Sequence, residues 1–197
     1  MHVTFLGHSY VRDLKLFCLN RDIERVKVSE DVSLDIEFSF VGGATFDTFL
    51  SDPSLLSNVF ERPPEVLVVV LGGNDIKENV DLLKVRKGCQ EFYELCRRHL
   101  PNTYIIASQI EPRYLQATNR FGTPKTSEFI KLTNYFNRWL NKQKFKDRVL
   151  CIRGPGRLCD PDLFRDKIHL NDRGLAILWD IAKKVVVDSC AIKLKLK

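Results

Sequence analysis

The sequence predicts an α/β fold: a three-layer α/β/α sandwich around a five-stranded parallel sheet in the flavodoxin-like order 2-1-3-4-5. Three observations predict it. Strand-like and helix-like stretches alternate along the chain, the pattern of a doubly wound sheet. The run Val66-Leu67-Val68-Val69-Val70 is apolar at every position, as a central parallel strand covered on both faces requires. Glycines follow the first three strands, at Gly7, Gly42-Gly43 and Gly72-Gly73, where the chain must turn sharply out of the sheet.

Each element is argued from its own residues. Residues 3–6 form the first strand and a helix follows over about 9–20. The second strand occupies 34–41. Two short helical pieces come next, the second opened by Asp52-Pro53, a capping side chain followed by proline in the first turn. The third strand is 65–71, and the helix after it, about 80–99, carries the apolar stripe Leu82, Val85, Cys89, Phe92, Cys96. The fourth strand is 103–110. A long loop, 111–124, leads to a helix ending near 141 with the stripe Phe129, Leu132, Phe136, Trp139. The fifth strand is 148–152, and an irregular stretch fills 153–170. The last helix runs over about 172–188, capped by Asn171.

Composition bounds the function. The chain has 197 residues, 44% of them apolar and 28% charged, a globular balance rather than a disordered or fibrous one. We expect one domain over 1–190, with a basic tail over 191–197. The first strand starts almost at Met1, which fits a domain taken from a longer polypeptide. Residues 1–6 read as a strand rather than a leader, and the longest apolar run, 66–71, is six residues, far short of the ~20 that a membrane span needs. The six cysteines, at 18, 89, 96, 151, 159 and 190, form no CxxC pair and none has a histidine at metal-ligand spacing. Cys89 and Cys96 on an apolar stripe and Cys151 in an apolar strand read as small core residues, and a reduced, intracellular setting is expected. No metal or cofactor is expected, and no GxGxxG or phosphate-loop pattern points to a nucleotide.

Ligands of such sheets bind beyond the carboxyl ends of the strands, at the point where the winding reverses. Here that point lies between the first and third strands, and Gly7-His8-Ser9 and Gly72-Gly73-Asn74-Asp75 leave those ends. Ser9 opens a helix, where the positive end of the helix favours developing negative charge; read alone, it is an ordinary N-cap. The Asn74 amide is a donor for an oxyanion, in a stretch that also makes a plain turn. Gly43 offers a backbone N–H on the same terms. Asp166 and His169, three apart before the last helix, are spaced so that the carboxylate can hold one ring nitrogen and leave the other as a base; separately they read as surface residues. Together these residues supply the nucleophile, oriented base and oxyanion donors that acyl transfer needs.

These residues carry a resemblance to the SGNH hydrolases, the GDSL-type esterases and lipases. Gly7-His8-Ser9 resembles the block bearing the nucleophile, and Gly42-Gly43-Ala44-Thr45 is similar to the glycine block. Gly72-Gly73-Asn74-Asp75 matches the asparagine block, and Asp166-Lys167-Ile168-His169 the DxxH block, with Leu170-Asn171 and Gly174 beyond. One position departs: the family usually has Asp before the nucleophile, and here it is His8. Gly-His-Ser followed by an apolar pair and Arg12 resembles SGNH domains encoded by animal retrotransposons.

The resemblance implies a serine esterase acting on acetyl, short-chain acyl or lipid esters, with the triad Ser9, His169, Asp166 and an oxyanion hole of Ser9, Gly43 and Asn74. His8, Arg113 and Tyr114 are expected near the substrate, with Arg120, Phe121, Arg153, Arg157, Arg165 and Lys167 at the rim. The alternative is an SGNH-fold interaction module with little or no catalysis. The formal net charge is +6, and much of it gathers in two segments. Arg138, Lys142, Lys144, Lys146 and Arg148 face one acid, Asp147, and the tail adds Lys193, Lys195 and Lys197. Topology puts both at the pole opposite Ser9, where they would meet nucleic acid or an anionic membrane rather than the ester.

Overall fold

The computed structural model describes the chain except for residues 24, 29, 31, 115–124, 152–157, 159, 196 and 197. It is a three-layer α/β sandwich with one sheet. In chain order the elements are β1 (His2–Gly7), α1 (Ser9–Leu19), β2 (Arg25–Lys27), β3 (Ser33–Phe40), α2 (Phe46–Ser51), α3 (Ser57–Glu61) and β4 (Val66–Val70). There follow α4 (Leu82–His99), β5 (Tyr104–Ser108), α5 (Thr126–Asn141), β6 (Arg148–Leu150) and α6 (Asp172–Lys195). The sheet order is β2-β3-β1-β4-β5-β6.

The five expected strands are β3, β1, β4, β5 and β6, all parallel, in the expected order. Among the described residues the sheet has six strands, not five. The added one, β2, pairs antiparallel with β3 at the edge, Val26 opposite Leu34. It is three residues long and only Val26 of Arg25-Val26-Lys27 is apolar, so it carries no alternating signal to read. Two further differences concern helix ends. Asp52 does cap, through its side chain to Ser54 N at 3.2 Å, but it caps a 3-10 turn, Pro53–Leu56, that leads into α3. The last helix continues past the expected end at 188, through the start of the expected tail, to Lys195.

The strand β4 shows how one sequence feeds both layers. Val66, Val68 and Val70 pack with Val3 and Phe5 of β1 against Tyr10, Val11 and Leu14 of α1 and Leu175, Leu178 and Trp179 of α6. Leu67 and Val69 face the other way, into Phe49 of α2, Cys89 and Phe92 of α4 and Phe129 and Phe136 of α5. Successive side chains of a strand point to opposite faces, and here both faces are dry. Burying each such Phe in full stabilises by about 1.5–3 kcal/mol. Cys18, Cys89, Cys96, Cys151 and Cys190 are free thiols, and Cys151 lies just past β6 rather than within it.

The turn from β1 into α1 is closely packed. A Cβ on Gly7 would stand 2.2 Å from the carbonyl oxygen of Val70. Only glycine lets β1 finish this close to β4, and the approach seats the next two residues, His8 and Ser9, at the carboxyl edge of the sheet.

Candidate active site

Ser9 is the first residue of α1, but His8 is the residue that caps it, accepting the N–H of Tyr10 on Nδ1 at 3.4 Å. The reading of Ser9 as an ordinary N-cap is therefore replaced. Its hydroxyl is not spent on the helix and lies 3.2 Å from Nε2 of His169. On the far side of the ring, Nδ1 of His169 lies 2.7 Å from Oδ2 of Asp166. Asp166 accepts two further bonds on Oδ1, from the N–H groups of Ile168 (3.0 Å) and His169 (2.6 Å). The turn that allows this puts Lys167 at φ +65°. Partial burial pushes the Asp166 carboxyl up, but the bonds from His169 and Ile168 outweigh it and hold it below its ordinary value. An ionised Asp166 fixes the Nδ1–H tautomer and leaves Nε2 as an acceptor toward Ser9.

Two contacts hold this turn against the rest of the chain, and a third closes it on itself. The Tyr10 hydroxyl donates to the carbonyl of Ile168. Arg165 donates to Oδ2 of Asp13, a buried carboxylate of α1, at 2.8 Å. Phe164 and Leu170 form an antiparallel bridge. Asn171 accepts the N–H of Gly174 at 3.1 Å, capping α6 as expected.

Asn74 leaves β4 opposite Ser9. Its Nδ2 donates to the carbonyl of Ala44 at 3.1 Å, and its Oδ1 accepts from the Arg113 guanidinium at 2.8 Å. The amide is thereby locked, and its second N–H has no acceptor among the described residues. Gly43 turns at φ +73°, a conformation open to glycine at little cost. Ser9, Gly43, Asn74, Arg113 and His169 line one cleft of about 450 Å³. The expected nucleophile, base and oxyanion donors thus share a single hollow, and the expected orienting carboxylate stands directly behind His169.

The expected substrate neighbours separate. Arg113 lines the cleft. It is buried, lies 5.3 Å over the Phe129 ring and spends one nitrogen on Asn74. Burial lowers its pKa from the usual value, while Tyr10, Glu111 and Asp75 act in the opposite sense. His8 is fully buried and is not among the cleft residues. Burial first, then the charges of Arg113 and His169, push its imidazole down to about 3. It is a neutral ring where the SGNH pattern has a carboxylate. Tyr114 packs its ring edge on Phe164 at 5.0 Å and lines a neighbouring hollow with Arg165 and Lys167. Arg120, Phe121, Arg153 and Arg157 lie outside the described residues.

Sequence reading gave no site role to Arg12, Lys77 or Asp75. Arg12 and Lys77 also line the cleft. The available signal was spacing: each lies three residues after a chemical group, Ser9 or Asn74. Asp75 accepts the N–H of Phe46 at 3.2 Å, tying the β4 loop to the start of α2. Burial is the main cause that pushes its carboxyl up to about 7. Among the described residues no group of three or more His, Cys, Asp or Glu is placed to hold a metal ion, and no helix is long and apolar enough to cross a membrane.

Comparison with known proteins places the fold. No protein-family model matches the chain, and no curated protein sequence matches it. Solved structures do. An acetyl xylan esterase, AlAXEase, superposes with a TM-score of 0.68 at 18% identity, covering 94% of this chain and 100% of its own. A GDSL-like lipase from Bacteroides thetaiotaomicron gives 0.64 at 15% identity, covering 96% and 88%. A carbohydrate esterase family 3 protein from Talaromyces cellulolyticus gives 0.64 at 13%, covering 95% and 97%. The chain shares its fold with these esterases and lipases.

Proposed function

We propose that the chain is a serine hydrolase of carboxylic esters. The observation that carries this reading is the unbroken contact from Ser9 Oγ through His169 to Asp166, 3.2 and 2.7 Å, facing a cleft that Asn74 and Gly43 also line. The fold shared with esterases and lipases supports it. In this reading His169 takes the Ser9 proton on Nε2 as the oxygen attacks the ester carbonyl, and Asp166 stabilises the imidazolium. The N–H groups of Ser9 and Gly43 and the spare N–H of Asn74 receive the oxyanion. His169 then gives its proton to the leaving alcohol, an acyl-enzyme remains on Ser9, and water activated by His169 releases the acid. Acetyl, short-chain acyl and lipid esters are the substrate classes proposed.

The experiment pairs turnover of nitrophenyl acetate with labelling by a fluorophosphonate, in the wild type and in Ser9→Ala. We expect hydrolysis and labelling by the wild type, and both reduced to background in Ser9→Ala, because the triad works as a unit. Equal hydrolysis by both proteins with no labelling would favour the alternative, an SGNH-fold interaction module. Away from the cleft, Lys142 and Lys144 are exposed, which supports an accessory contact with nucleic acid or an anionic membrane at that pole.

A further inference from the structure

We infer that the ester taken at this cleft carries an anionic group near its reacting carbonyl; the inference rests on the hydrolase reading above. Three cations line the cleft, Arg12, Lys77 and Arg113, and no Asp or Glu is among its described lining. Arg113 is engaged in holding Asn74, and Glu111 acts against its charge, so the other two carry the argument.

Arg12 lies three residues after Ser9 on α1, on the same face of the helix. Its Nε and Nη2 both donate to Oδ1 of Asp13, at 2.9 and 2.8 Å. The other oxygen of Asp13 is taken by Arg165 at 2.8 Å. One carboxylate thus serves two guanidiniums, and the cluster keeps a net positive charge beside the nucleophile. The Arg12 side chain is 43% exposed. Lys77, three residues after Asn74, is exposed and forms no ion pair among the described residues. Asp75 acts on it electrostatically but spends Oδ1 on Phe46. Asp166, the acid nearest the chemistry, spends both oxygens on His169 and Ile168. A carboxylate or phosphate on the substrate therefore finds cations from two separate elements, while an ester of a cationic alcohol meets repulsion.

The test compares substrates matched in size. On the alcohol side, the thioacetates of propanethiol, 3-mercaptopropionate and thiocholine are neutral, anionic and cationic. On the acyl side, nitrophenyl hexanoate is compared with the nitrophenyl monoester of adipate. We expect kcat/KM to favour the anionic member over the neutral one by about fivefold or more on one side, and to place thiocholine acetate last. Lys77→Glu should collapse that ratio toward one, as should 0.5 M salt, an amount of about that order screening exposed charges within a few ångströms. Neutral esters turned over with ratios near one on both sides would overturn the anion preference and leave the hydrolase reading standing. No turnover of any ester, together with no labelling of Ser9, would remove the hydrolase reading and this inference with it.

Discussion

The Asn74 amide owes its orientation to Arg113, a residue 39 positions away. The guanidinium fixes Oδ1 and so decides which N–H is left for an oxyanion, and a charge-assisted bond at that oxygen makes the opposite N–H a better donor. Asn74→Ala should lower kcat by about 10²–10³-fold. Arg113→Met should lower it by a smaller factor, and the double variant should cost clearly less than the product of the two, because the second loss acts through the first. Steady-state kinetics of the four proteins check this; multiplicative losses would mean that Arg113 acts on its own. Ser9, Asn74, Asp166 and His169 were legible in the sequence because each sits in a short stretch whose place at the carboxyl edge follows from the strand before it. Arg113, Tyr10 and Asp13 act across 39, 158 and 152 positions, and no local pattern reports such contacts. His8 was legible as an oddity but not as a buried cap, since burial is decided by β4 and the Arg113 segment packing over it.

Between elements, Asp75 links the loop after β4 to the start of α2, the segment that also carries Gly43. Its carboxyl, pushed up to about 7 mainly by burial, binds its proton more tightly when folded than when unfolded, where it titrates near 3.9. The folded state therefore holds the extra proton between about pH 4 and 7, and this contribution to stability is lost as pH rises through that window. Asp75→Asn keeps an acceptor for Phe46 N without the charge. It should raise Tm over the wild type at pH 8, with the gap narrowing on acidification and closing near pH 4, as thermal unfolding across pH would record. A gap that does not vary with pH would rule out the buried charge as its cause. The long elements were readable from apolar periodicity, since β4 and α4 bury whole faces. The edge strand β2 was not, because pairing with β3 and one buried valine define it, and neither is a sequence period.

Across the molecule, basic side chains gather at two poles, the cleft and the opposite end of the sheet. The segment 142–148 joins the end of α5 to the start of β6 and lies at the amino ends of the strands, away from Ser9. Part of its charge is already engaged: Lys146 donates to the carbonyls of Asn141 and Gln143, and Arg148 approaches Asp188 at 3.4 Å. Lys142 and Lys144 remain exposed. Replacing both with Gln should leave ester turnover unchanged and weaken any salt-sensitive retention on a polyanion such as heparin; loss of turnover would contradict two separate poles.

The pair Ser9 and His169 lies 160 positions apart. The site is a clasp closed by two distant segments, one carried on β1 and α1 and the other on the turn before α6. A ribosome would make Ser9 well before His169, so that the proposed site stays incomplete over the whole interval between them. The proposed site comes into being only when the turn before α6 docks against α1, so that any activity it supports would report on the assembled fold rather than on either part alone.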